Sequence, residues 1–218
     1  MSKQAVIFDM DGVILDSEPQ IIVAKQQVLS QYGIHQPESY HYKFMGMSFK
    51  AIWQGIQEEL NLPVDWQVLL NDYFVKYKAL IQQEAQQPIE GSLDLIEALH
   101  QANFKMALAS SSPITDIERT LDNFGITNCF DTVISGYTIA HPKPAPDIFQ
   151  MAMKELEVKS EDSVVIEDSM NGIRAGIAAG AEVIAYNDPR YYAQREIANV
   201  HCVTKMNQIQ KYLLESSD

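Results

Sequence analysis

The chain reads as an α/β protein, a doubly wound parallel sheet with a small all-helical domain inserted after its first strand. Three observations carry that reading. The short apolar runs Ala5-Val6-Ile7-Phe8, Met106-Ala107-Leu108-Ala109, Thr132-Val133-Ile134 and Val164-Val165-Ile166 are continuous rather than alternating, as in strands covered on both faces. Helical stretches separate successive runs beyond Gly91, which implies right-handed crossover units. Between Ser17 and Gln87 no strand pattern interrupts the helical periodicity. The expected division is residues 1–16 and 88–218 for the sheet domain and 17–87 for the helical one. The insertion is expected to form a cap above the carboxyl ends of the strands.

The first run is expected to be a buried parallel strand. After Asp16 the pattern turns helical: Ile21 and Ile22 are repeated seven residues on by Val28 and Leu29, with Tyr32 following, and Gly33 can close that helix. Ile52, Ile56 and Leu60 mark a second helix, and Leu69, Tyr73, Tyr77 and Leu80 a third. The glutamine-rich stretch 82–87 leads back out, and Pro88 is expected to end the helix near its preceding residue. A helix over 93–99 then precedes the strand 105–109, which runs into Ser110-Ser111-Ser112. A helix through Ile117, Leu121 and Phe124 leads to the strand 132–134, and another helix begins near Pro146. The strand 164–166 ends in Glu167-Asp168, and a glycine- and alanine-rich helix over 172–179 precedes the strand 182–185.

Bulk properties narrow the function. With 218 residues, 46% hydrophobic and 21% charged, the chain suits one sizeable core, or a core plus a small second domain. A net charge of −13 argues against nucleic acid and anionic membrane surfaces, since no basic stripe exists to release counterions. Cys129 and Cys202 belong to no metal or disulfide pattern and suit a reducing cytoplasm. The opening residues offer one lysine and four consecutive apolar residues, too few for a signal peptide. No run approaches the roughly 18 apolar residues of a membrane span. The expectation is a cytoplasmic protein without nucleic-acid or membrane partners, with monomer as the default state.

The polar residues that follow the apolar runs carry the chemistry. Asp9 and Asp11 follow the first, Ser110 the second, and Glu167 and Asp168 a later one. In a parallel sheet these ends converge on one crevice. Asp9 and Asp11, two residues apart, can face that crevice together, and Gly12 lets the chain turn and lets a ligand approach its backbone. Like charges placed side by side are costly unless a cation compensates. Lys143 sits in Pro142-Lys143-Pro144-Ala145-Pro146, where prolines stiffen the loop that holds the amine. Carboxylates, one lysine and one hydroxyl suit Mg²⁺-assisted phosphoryl transfer: magnesium takes a few carboxylate oxygens and keeps water or phosphate as its other ligands. Ser111 and Ser112 read as a helix N-cap before Pro113, the alternative for Ser111 being a substrate contact. Asn171-Gly172 reads as the entry to a helix, and His35, His41 and His141 as ordinary residues.

The order of these segments resembles the haloacid dehalogenase superfamily. Asp9-Met10-Asp11-Gly12-Val13 with Asp16-Ser17, Leu108-Ala109-Ser110, Lys143-Pro144-Ala145-Pro146-Asp147-Ile148-Phe149, and Glu167-Asp168-Ser169 match all four of its motifs. The helical insertion is similar to that of the subfamily containing β-phosphoglucomutase and sugar-phosphate phosphatases. The resemblance implies a Rossmann-like core and an aspartyl-phosphate route. In it Asp9 is the nucleophile, and Asp11 protonates the leaving alcohol and then activates water. Ser110 and Lys143 hold phosphoryl oxygens, and Lys143 also positions Asp9. It further implies Mg²⁺ held by Asp9, the Asp11 carbonyl and Asp168, with Glu167 direct or through water. Gly46 and Ser48 become substrate contacts in the cap.

Departures from the pattern narrow the activity. Relatives often carry glycine where this chain has Pro142. Asp11 argues against C–Cl and C–P cleavage, whose enzymes lack an acid there. Sugar-phosphate mutases of this type carry a histidine where this chain has Ile21 and an arginine where it has Phe49. Both changes favour hydrolysis of a small phosphorylated metabolite, a sugar or polyol phosphate, over a mutase. A phospho-accepting signalling module places its acid on a later strand and lacks the insertion, and a catalytically silent relative would have lost Asp9 or Asp11. Met45, Met47 and Phe49 suggest an apolar lip on the cap, while Trp53 is expected in the cap core.

Overall fold

The protein is described from a computed structural model covering residues 3–45, 47–83, 85–191 and 197–215. The chain divides into two compact units, 1–16 with 87–218, and 17–86.

Among the described residues the larger unit is built on six parallel strands: β1 (Ala5–Phe8), β2 (Lys105–Ser110), β3 (Thr132–Ser135), β4 (Ser163–Glu167), β5 (Glu182–Tyr186) and β6 (His201–Val203). Their order is β3-β2-β1-β4-β5-β6. The chain winds outward from β1 to β3, then returns to β4 on the other side of β1. Strand order thus reverses between β1 and β4, where doubly wound sheets open a crevice at their carboxyl ends.

Alternation along each strand sends side chains to two cores. Val6, Phe8, Leu108 and Ile166 pack on one face with Leu95, Ile96 and Leu99 of α5 (Ser92–Gln101), Ile117 and Leu121 of α6 (Ile114–Phe124), and Ile209 and Leu213 of α9 (Met206–Glu215). Ala5, Ile7, Ala107 and Val165 pack on the other with Ile148 and Phe149 of α7 (Asp147–Glu155) and Ile173 and Ala175 of α8 (Met170–Ala178). Coverage on both faces is why the strand sequences are continuously apolar.

The smaller unit holds α1 (Glu18–Ser30), α2 (Glu38–Tyr42), α3 (Phe49–Glu59) and α4 (Trp66–Gln83) around its own core, which includes Val28, Leu29, Ile52, Trp53, Ile56, Leu69, Tyr73 and Leu80. Trp53 is fully buried there, while Met47 and Phe49 are exposed. His41, read as ordinary, is fully buried; burial first, then Lys25 and Lys43, lowers its ring pKa to about 4. Among the described residues no helix is long and apolar enough to cross a membrane.

One local expectation needs correction, and two elements were not read from the sequence. Helix α4 stops at Gln83, well before Pro88, and further on the returning chain pairs with the outgoing one: Asp16 N donates to Gln87 O (2.9 Å) and Ile89 N to Ile14 O (2.9 Å). The strand β6 and helix α9 lie beyond the last element read from sequence. β6 is three residues long and exists through its register with β5, Ile184 opposite His201 and Tyr186 opposite Val203.

Candidate active site

β1 and β4 are adjacent and in register, Phe8 opposite Ile166, so the residues that follow them emerge side by side at the reversal point. Asp9 N donates to Ile166 O (3.0 Å), which fixes the first acid just beyond the sheet. Glu167 closes β4, and Asp168 follows it. Asp9, Glu167 and Asp168 are all buried, and each offers one carboxylate oxygen within 4.8 Å of the others.

Lys143 arrives from the loop before α7 and spends its ammonium inside this group. Nζ donates to Asp9 Oδ1 (2.5 Å), Glu167 Oε1 (2.9 Å) and Ala109 O (3.0 Å), and lies 4.8 Å from the Phe149 ring centre. Its side chain is 7% exposed, with Asp9 at 10% and Glu167 at 2%. Burial alone would pull the ammonium down, but Asp9 and then Glu167 outweigh it and hold the pKa above the ordinary lysine range. Asp9 moves up, to about 8: burial dominates, Lys143 opposes it, and Glu167 and Asp11 add repulsion. One ammonium does not balance the carboxylates of Asp9, Glu167 and Asp168 with Asp11 nearby, so a divalent cation fits this donor set.

Two glycines are shaped by these acids. Gly12 has φ +77°, and a Cβ there would lie 2.7 Å from Asp168 Cγ. A Cβ on Gly172 would overlap the Glu167 carboxylate. Glu167 Oε2 accepts from Ser169 N (2.8 Å), while Ser169 Oγ caps α8 by accepting from Gly172 N (3.0 Å). The turn 169–172 therefore shapes the acid site and starts a helix at once, in line with the reading of Asn171-Gly172 as a helix entry.

Ser110 ends β2, buried, with Oγ accepting from Ser112 N (3.1 Å). Asp11 is half-buried; its carboxylate is not one of the three clustered acids, and its Oδ2 accepts from Ser112 Oγ (2.9 Å). Ser111 is exposed. The N-cap expectation for Ser111 and Ser112 is corrected: the cap of α6 is Pro113, with no side-chain cap bond, because Ser112 turns its hydroxyl inward to Asp11. Ser48 belongs to the helical unit and caps α3, its side chain accepting from Ala51 N (3.3 Å). Gly46 lies outside the described residues.

Sequence reasoning missed two features here. Ser112 was signalled only by its place two residues after Ser110 and before a proline. Arg190, after β5, donates to both Asp188 oxygens and through Nη1 to Asp16 Oδ2 (2.7 Å). That network ties the end of the first motif to the β5 loop, and Asn187-Asp188-Pro189-Arg190 carries no local sign of it.

Comparison with known proteins places this geometry. A curated relative from Thermotoga maritima, a phosphorylated carbohydrates phosphatase, is 30% identical over 189 residues, 83% of each chain. A crystal structure of a HAD family hydrolase from Deinococcus radiodurans, with bound phosphate and sodium, superposes with TM-score 0.81 at 26% identity, covering 98% of this chain and 96% of that one. A putative β-phosphoglucomutase from Thermotoga maritima gives TM-score 0.76 at 26% identity over 99% of both chains. The haloacid dehalogenase-like hydrolase profile matches residues 6–186, a span that runs from β1 to the end of β5 and takes in Asp9, Asp11, Lys143, Glu167 and Asp168, and the chain belongs to that family.

Proposed function

We propose that the chain is a Mg²⁺-dependent phosphatase that hydrolyses monophosphate esters of small carbohydrates or polyols through an aspartyl-phosphate on Asp9. The observation that carries it is the buried Lys143 ammonium bridging Asp9 and Glu167 beside Asp168, with negative charge in excess. The name of the Thermotoga relative, a phosphorylated carbohydrates phosphatase, supports the substrate class.

In this reading Asp9 attacks phosphorus as the bond to the alcohol oxygen breaks. Asp11 gives its proton to that oxygen, then takes one from the water that attacks the phosphorus of the aspartyl-phosphate. Lys143 orients Asp9 and offsets charge on the phosphoryl oxygens, and Ser110 with its hydroxyl holds one of them. Gly12 and Ser111 line the approach to the backbone there. Asp9, the Asp11 carbonyl, Asp168 and Glu167 would hold the Mg²⁺, which supplies positive charge to the phosphoryl oxygens. Burial and the acidic neighbours Glu167 and Asp11 push the Asp9 carboxyl up, a push that positive charge held by these residues would offset. Gly46 and Ser48 of the helical unit are proposed as substrate contacts, and the two free cysteines suit a cytoplasmic setting.

The test is phosphate release from a panel of sugar, polyol and nucleoside monophosphates, with Mg²⁺ and with EDTA, using Asp9→Asn as the control. Metal-dependent release that vanishes in the variant is expected. Interconversion of sugar phosphate isomers without release would replace the phosphatase with a phosphomutase, the reading that the β-phosphoglucomutase likeness keeps in view.

A further inference from the structure

We infer that Ser112 is a positioning residue for Asp11, holding its carboxylate in the orientation from which it serves the departing alcohol. The inference rests on the phosphatase reading above. It starts from a conflict between local sequence and tertiary structure. Ser112 precedes Pro113 where a helix cap belongs, yet its hydroxyl makes no cap bond and donates instead to Asp11 Oδ2 (2.9 Å) across 101 residues of chain.

The backbone of Ser112 is held at both ends by the sheet. Its N–H donates to Ser110 Oγ (3.1 Å) at the end of β2, and its carbonyl accepts from Ser135 Oγ (2.7 Å) at the end of β3. Gly136 N donates to Ser110 O (2.7 Å), locking the two strand ends together. A hydroxyl mounted this way gives the Asp11 carboxylate a fixed partner at Oδ2. In the proposed mechanism the Asp11 carboxyl passes its proton to the ester oxygen as the P–O bond breaks and takes a proton back from water in the second step, with Ser112 holding its orientation through both.

Leaving groups distinguish this role from a structural one. A poor leaving group needs the Asp11 proton, whereas p-nitrophenolate departs without it. Wild type, Ser112→Ala, Ser112→Thr and Asp11→Asn are compared on phenyl phosphate and p-nitrophenyl phosphate with Mg²⁺, reading kcat/KM, which reports the step that expels the alcohol. Loss of a hydrogen bond to a charged group predicts that Ser112→Ala lowers the phenyl to p-nitrophenyl ratio by roughly tenfold or more. Ser112→Thr, which keeps the hydroxyl, restores the ratio even if both absolute rates fall. An equal loss on both substrates, or a Thr variant as deficient in the ratio as Ala, overturns the inference. Asp11→Asn separates the two levels: an unchanged ratio there removes Asp11 as the acid and the phosphatase mechanism with it. A changed ratio in Asp11→Asn but not in Ser112→Ala removes only the role of Ser112.

Discussion

Replacing Gly172 with alanine opposes two physical effects that the structure can weigh. Within a helix interior, glycine to alanine stabilises by up to about 1 kcal/mol. Gly172 lies in the first turn of α8, so the gain is smaller than that. Against it stands the new Cβ, which would overlap the Glu167 carboxylate. A flexible side-chain end usually moves aside, but this one is 2% exposed and held by Lys143 Nζ (2.9 Å) and Ser169 N (2.8 Å). Swinging it away breaks two charge-assisted bonds, each worth about 1.5–3 kcal/mol, while shifting the helix instead costs the roughly 1–3 kcal/mol of an overpacked core. The cheaper route still exceeds the propensity gain, so the variant should lose about 2 kcal/mol. In a protein of this size that is a Tm fall of about 4–8 °C. Thermal unfolding of Gly172→Ala is measured alone and in a Glu167→Asp background, where the shorter acid leaves room. The alanine should cost less in the second background. An equal cost in both, or a variant as stable as the parent, would refute the overlap argument.

The remaining predictions concern the acids and the helical unit. Lys143→Met should abolish turnover and destabilise the fold by about 3 kcal/mol, as expected when one partner of a buried pair is removed; denaturant titration checks it. In metal-free protein, Asp9 titrates near 3.8 unfolded but at about 8 folded. The folded state then binds the extra proton, so stability should fall as pH rises from about 4 to about 8. Mg²⁺ should raise Tm more at pH 8 than at pH 5; an equal or reversed effect would contradict the burial of Asp9 as the cause. His41, near 4 folded against 6.5 unfolded, has the opposite sign: stability of the helical unit should fall as pH drops from 6.5 toward 4, and His41→Phe should flatten that slope. Ser48→Ala should lower stability by about 0.5–1 kcal/mol through loss of the α3 cap; a raised KM with unchanged stability would instead mark it as a substrate contact.

Much of the sheet was legible because its information is local. Continuous apolar runs at β1, β2 and β4 announce strands buried on both faces, and the seven-residue spacing of Ile22 and Leu29 announces a helix with one buried side. β6 was invisible because three residues of ordinary composition become a strand only when β5 is there to pair with. The stop of α4 was also misplaced. Proline restricts its neighbour, but the helix ends before that restriction acts, and residues 87–89 go instead to pairing with 14–16.

The same division runs through the site. From sequence alone came the acids and the serine at strand ends and the lysine in its proline-rich loop, because a parallel sheet delivers its carboxyl ends to one side and the motif order names the family. Tertiary structure alone decided how those groups share charge. That Lys143 gives its ammonium to both Asp9 and Glu167, that Glu167 occupies the space a Gly172 side chain would need, and that Ser112 abandons a helix cap for Asp11 all depend on contacts between segments far apart in the chain. The physical reason is one of range: periodicity and turn chemistry act over a few residues, whereas burial and Coulomb interaction depend on what the folded chain brings within a few ångströms.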